Sequence, residues 1–113
     1  MLFTKFESLL SKVIDLPLPG IEAHKKMSPM FRTQELINLK LDKNKAKKSA
    51  VLILFYPGTD NQTHFVLIQR SVYPGVHSGQ ISFPGGKKDS VDRSFWDTAL
   101  REANEEINVP SSH

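Results

Sequence analysis

"GGKKDSVDRSFWDTALREANEEI", residues 85–107, sets two glycines and a polar loop ahead of a segment with helical periodicity. The Gly-Gly pair reads as a turn, and Ser94 suits the N-cap of a helix running from Phe95 to about Asn108. Trp96, Ala99, Leu100, Ala103 and Ile107 recur as one apolar stripe, which predicts packing on a core. Glu102, Glu105 and Glu106 crowd the neighbouring face. Like charges three or four apart cost roughly a few tenths of a kcal/mol per pair, and the helix macrodipole disfavours negative charge near its C-terminus. Local stability gives no reason for this arrangement. A divalent cation does, because hard cations take oxygen ligands. A main-chain carbonyl of the glycine pair can join such a set, since glycine lets backbone approach closely. The chemistry this points to is metal-assisted attack of water on a phosphoric anhydride. Taken alone, an E-x-x-E-E helix more often describes solvated glutamates on an exposed face.

Outward from that stretch, 113 residues with 39% hydrophobic content suffice for one globular domain with a core. The absence of cysteine removes disulfides, thiolate metal sites and Cys nucleophiles, and fits a cytoplasmic location. Much of the net charge of +3 sits in "KNKAKKSA" (Lys43–Ala50), which reads as a solvated linker rather than a nucleic-acid patch. A phosphate-rich substrate would still feel its field. No apolar run reaches the roughly 20 residues of a membrane span, and Lys5, Glu7 and Lys12 break any signal-peptide pattern. Neither a nucleic-acid nor a membrane partner is expected.

"TKFESLLSKVIDL" places Phe3, Phe6, Leu9, Leu10, Val13 and Ile14 at helical spacing. This predicts an amphipathic helix of about three turns, capped by Thr4-x-x-Glu7, packed on the core and stopped by "PLPG". A loop with a second short helix near Gln34–Leu39 follows, and no chemistry is assigned to His24. "AVLILFYP" (Ala50–Pro57) reads as one strand buried on both faces, and "THFVLIQR" (Thr63–Arg70) as its hairpin partner across "PGTDNQ". "QISF" is a short third strand running into Pro84-Gly85-Gly86.

With its flanks, the opening stretch resembles the Nudix box, G-x5-E-x7-R-E-U-x-E-E-x-G-U, the signature of the Nudix hydrolases. Gly86 matches the leading glycine and Arg101–Glu106 the R-E-U-x-E-E core. Asp92 stands where the first Glu belongs, eight residues rather than seven separate it from Arg101, and Asn108 replaces the final Gly. Asn tolerates the left-handed conformation a helix C-cap needs. The longer spacing, with Leu67, Arg70, Ser71, Gly79 and Phe83-Pro84-Gly85-Gly86, is similar to the coenzyme A pyrophosphatase subgroup. Ile68 and Gly75 replace a Thr and an Arg of that subgroup's motif.

The resemblance implies an α/β fold: the N-terminal part of a Nudix α/β/α sandwich with a mixed sheet, preceded by an amphipathic helix. It divides the chain into a helical extension, 1–45, and a Nudix domain, 46–113, read as incomplete at its C-terminus. It makes Glu102 and Glu106 the principal Mg2+ or Mn2+ ligands, with Glu105 and the Gly86 carbonyl in support. Arg101 would hold the glutamates by charge-assisted hydrogen bonds. The catalytic set implied is Glu102, Glu105 and Arg101, and Asp92 takes the supporting place of the usual first Glu. Arg70 and Ser71 are the substrate-binding candidates, although a strand-end salt bridge equally explains Arg70. His77 reads as a loop residue, and Trp96 as core rather than, with Phe95, a base-stacking platform. The implied activity splits the diphosphate of coenzyme A or acyl-CoA into 3',5'-ADP and (acyl-)4'-phosphopantetheine. Another nucleoside diphosphate derivative, such as ADP-ribose or a dinucleotide, or a non-catalytic nucleotide-binding module, are the alternatives.

Overall fold

A computed structural model describes residues 1–29, 46–72, 74 and 78–110. Its elements are α1 (Phe3–Val13), α2 (Gly20–Met27), β1 (Ser49–Val51), β2 (Phe55–Pro57), β3 (Thr63–Phe65), β4 (Ile68–Gln69), β5 (Ile81–Ser82), β6 (Gly85–Lys87) and α3 (Phe95–Ile107). The class is α/β, as expected. Two compact units divide the chain: Met1–Phe6 with Lys47–His113, and Glu7–Ala46. The helix expected near Gln34–Leu39 lies outside the described residues, as do Gly75 and His77.

In the larger unit the described strand pairs are all antiparallel: β1 with β6, β2 with β3 and β4 with β5. The hairpin expected between the two apolar runs forms, in the register Phe55↔Phe65 and Pro57↔Thr63. Asn61, at φ +57°, turns its loop. The run 50–57 is not, however, one strand buried on both faces. It pairs first with β6 and then with β3, with Leu52 donating to the Pro84 carbonyl (2.8 Å) and Val66 to the Leu54 carbonyl (3.1 Å) between the ladders. Ala50, Leu52 and Leu54 pack towards Ala99 and Ala103 of α3, while Val51 and Ile53 stay half exposed. Apolar composition marks a run as able to be buried, but alternation decides which residues meet the helix.

Gly85 and Gly86 form strand β6 rather than a turn. A Cβ on Gly85 would lie 2.3 Å from the Ala50 carbonyl oxygen, and its φ of +154° belongs to glycine, so the close β1–β6 approach depends on that residue. The small core of Leu52, Ala99 and Ala103 is closed by Leu100, Ile107 and Val109. On another part of this unit Phe3, Phe6, Phe55, Phe65 and Phe83 form a chain of ring contacts with centroids 4.5–6.3 Å apart. The N-terminal residues join it by backbone bonds, Phe3 to Asn61 and Thr63 to Met1.

α3 follows its sequence signals closely. Ser94 caps it in a reciprocal capping box with Asp97, and Asn108 ends it in the left-handed region at φ +56°. Trp96 departs from expectation, being 61% exposed rather than core, while Thr98 is completely buried. α1 spans the expected three turns, but it begins at Phe3, so Thr4 lies inside the helix and is no cap. None of its residues is buried, and Leu9, Leu10, Val13 and Ile14 are exposed. Periodicity fixes which side chains share a face, not whether something covers it. α2 occupies a stretch read as loop. Its Glu22 in the first turn and its basic last turn suit the macrodipole, a local signal that the preceding "PLPG" masked.

Candidate metal and phosphate site

α3 packs against β1 and β6, which brings its glutamates to the glycine strand. Glu106 accepts a hydrogen bond from the Gly85 backbone N–H at 2.9 Å. The Glu102 carboxylate lies over Gly86 so closely that a Cβ there would meet its oxygens at 2.5 Å. The two glutamates are one turn apart on the same helix face, so each meets one of two successive glycines. Glu105, whose side chain is 58% exposed, turns instead to Arg101.

Arg101 organises the rest. Its guanidinium lies 3.0 Å from Glu102 and donates to Glu105 at 3.2 Å. It also donates to the Lys87 carbonyl at 3.0 Å. The charge crowding expected of the three glutamates is therefore partly relieved by their own neighbour. On its far side Arg101 grips Asp92 by two bonds, Nε to Oδ1 and Nη2 to Oδ2, both 3.1 Å. The buried Thr98 hydroxyl and the Asp89 N–H also donate to Asp92, each at 2.9 Å. These bonds, led by that from Arg101, hold the Asp92 carboxyl far below the usual carboxylate range and push Arg101 further up. Lys88 completes the loop by donating to the Asp92 carbonyl.

Asp92 thus reaches Arg101 rather than the glutamates, and it supports them through that guanidinium. Thr98 and the Gly85 N–H were not foreseen. Thr98 had a signal, since it lies three residues before Arg101 and so shares its face. The Gly85 contact had none, because it depends on the pairing of β6 with β1.

Arg70 and Ser71 come to the same place by a different route. The pairing of β4 with β5 continues through a bond from Arg70 N–H to the Gln80 carbonyl, 3.0 Å. This sets both residues beside Glu106 around an open cavity of about 350 Å3. No carboxylate among the described residues lies within ion-pair distance of Arg70.

The residues fit a hard cation in donor type: two carboxylates converge on bare backbone, and the missing Cβ of Gly86 leaves Glu102 its room. Among the described residues no three acidic or histidine side chains are gathered tightly enough to hold a metal unaided. Backbone, water and substrate oxygens would complete a shell. No helix among the described residues is long and apolar enough to cross a membrane.

The family model for the NUDIX domain matches residues 46–113. Nudix hydrolase 15, mitochondrial, of Arabidopsis thaliana is 42% identical over 63% of this chain and 25% of its own length. Nudix hydrolase 22, chloroplastic, of the same plant is 44% identical over 58% of this chain and 22% of its own. Peroxisomal coenzyme A diphosphatase 1 of Saccharomyces cerevisiae is 42% identical over 57% of this chain and 19% of its own. The matched stretch therefore spans a quarter or less of each relative.

Proposed function

The chain belongs to the Nudix family, and on that premise we propose that it is the box-bearing part of a Mg2+- or Mn2+-dependent hydrolase that splits the diphosphate of coenzyme A or acyl-CoA into 3',5'-ADP and (acyl-)4'-phosphopantetheine. The observation that carries the hydrolase reading is the meeting of Glu102 and Glu106 with Gly86 and Gly85, with Arg70 and Ser71 across the cavity from Glu106. A cation bound there supplies charge neutralisation for phosphate oxygens and a more acidic water. Glu102 and Glu106 would hold it, with Glu105 and the Gly86 carbonyl in support.

The chain's own groups would do the rest. Arg101, fixed from behind by Asp92, orients Glu102 and Glu105. Arg70, which has no counter-charge among the described residues, offers a fork of donors to a substrate phosphate, and Ser71 a hydroxyl beside it. The coenzyme A claim is supported by the motif running from Leu67 to Gly86 and by the similarity to the yeast coenzyme A diphosphatase. A cytoplasmic location, expected from the sequence, finds no parallel in the mitochondrial, chloroplastic and peroxisomal names of those relatives.

The test is hydrolysis of coenzyme A, ADP-ribose and dinucleoside polyphosphates with magnesium and with manganese. Preference for coenzyme A is the expected result. A wide preference for ADP-ribose would remove the coenzyme A claim and leave a Nudix hydrolase of another nucleoside diphosphate. Failure to hydrolyse any of them, with no metal-dependent rise in melting temperature, would favour a non-catalytic module.

A further inference from the structure

Along the β1–β6 pair lies a second open cavity of about 330 Å3, within the size range of small-ligand sites. Lys47, Arg70 and Lys87 line it together with Ser49, Gly85 and Gly86, and no carboxylate among the described residues does. The register Ser49↔Lys87 sets Lys87 across from Ser49, and Lys47 is two residues before Ser49, on the same side of an extended chain. Lys47 and Lys87 are thus diagonal neighbours whose like charges repel.

Neither lysine nitrogen nor the Arg70 guanidinium has a hydrogen bond or ion pair, among the described residues, to offset this. The contrast with the neighbouring lysine is direct. Lys88 is spent on the Asp92 carbonyl, and Lys25 on Glu22, whereas Lys87 and Lys47 have no partner among the described residues around their concavity. Arg70 lines both cavities, and Gly85, which lines this one, donates to Glu106 of the other. An anion held here would thus sit beside a diphosphate held by the glutamate side.

We propose that Lys47 and Lys87, with Arg70, form a subsite for a phosphate monoester that the substrate carries in addition to the diphosphate it loses. The inference rests on the diphosphatase reading for the diphosphate's place, and adds two residues that no box or motif residue predicts. Ammonium groups suit this role as point charges that accept a dianion in several orientations, and a cavity of about 330 Å3 suits one phosphate group better than a nucleic-acid strand.

The probes are 3',5'-ADP and AMP, which differ by one phosphate monoester, with binding measured by calorimetry. The wild-type protein should prefer 3',5'-ADP by at least about tenfold, a modest figure for a charge-assisted contact. Lys47→Ala with Lys87→Ala should bring the two affinities together, and raising salt should do the same progressively. Both side chains are exposed, and Lys→Gln at the two positions serves if the alanine variant does not fold. No preference in the wild type, or a preference untouched by the double substitution, overturns the subsite. Preference without coenzyme A hydrolysis supports the subsite and removes the substrate reading. Hydrolysis without preference does the reverse.

Discussion

Asp92 receives four donors, two from Arg101 and one each from Thr98 and the Asp89 backbone, while Glu106 on α3 receives one, from Gly85. Both are carboxylates of the same loop-and-helix segment, and Arg101 stands between their regions. A carboxylate offers about four lone-pair sites, so four donors, three of them on Oδ2, take up most of what Asp92 can accept. The glutamates facing the glycines keep most of their capacity. Donors are concentrated where an anion serves the fold and are few where the proposed cation would bind.

The largest expected effect tests the donor-poor side. Glu102→Gln removes an anionic oxygen that a hard cation needs. In the complete protein turnover should fall by more than the roughly 10–100-fold that loss of a supporting residue costs a metal site. The melting temperature of the metal-free protein should not fall, because one of three crowded charges has gone. If Glu102→Gln unfolds the metal-free protein, Glu102 is chiefly a partner of Arg101, and the contrast between the two regions breaks.

Asp92→Asn tests the donor-rich side, and its effect should be on stability first. Arg101 and Thr98 would lose their shared acceptor, and we expect the melting temperature to drop by on the order of 10 °C. The pH dependence has a fixed sign. The folded-state pKa of Asp92 lies below its ordinary 3.8, so the unfolded chain takes up the proton first as pH falls. The stabilisation is fully present above the unfolded value and is lost below about pH 4. Wild type and Asp92→Asn should therefore differ by a constant amount near neutrality and converge in acid. A gap that widens in acid would place the controlling group elsewhere.

Two adjacent glycines separate fold from site within one strand. Gly85→Ala sets a methyl against the backbone of Ala50 and Val51 at 2.3–2.6 Å, at a φ that other residues avoid. The strain should cost about 1–3 kcal/mol, read by denaturant unfolding. Gly86→Ala meets only the end of a flexible glutamate. It should leave stability nearly unchanged and weaken metal binding by roughly 10–100-fold, since it displaces Glu102. Equal losses of stability in both variants would show that Gly86 too serves only the sheet.

These same residues mark the limit of what the sequence reveals. α3 was legible from end to end because its signals are local: Ser94 and Asp97 at the start, helical spacing through Ala99 and Ala103, and Asn108 at the stop. The glutamate constellation was legible for the same reason. Gly85-Gly86 was not, because a glycine pair signals a turn locally and only the distant run 49–51 makes it a strand. Trp96 and the α1 stripe were misjudged because composition says what can be buried, not what lies opposite. The bidentate Arg101–Asp92 clamp crosses from loop to helix, and a spacing of nine residues carries no rule that announces it.

Glu105 lies at the boundary between the two regions, and its substitution should have the smallest effect. It is held by Arg101 in an i,i+4 pair, and its carboxylate is mostly exposed. Such exposed pairs contribute about 0.3–0.5 kcal/mol, and removing a charge beside Glu102 and Glu106 returns a similar amount. Glu105→Gln should then leave the melting temperature within about 2 °C of wild type. Arg101 keeps Asp92 and the Lys87 carbonyl, so the clamp survives and Glu102 stays in place. Turnover is the sharper readout. A supporting role for Glu105 predicts a loss within roughly 10–100-fold, smaller than that of Glu102→Gln. A loss equal to that of Glu102→Gln would make the two carboxylates equivalent, although one lies over Gly86 and the other faces solvent and Arg101. The glycine contact would then no longer be what separates a principal ligand from a supporting one.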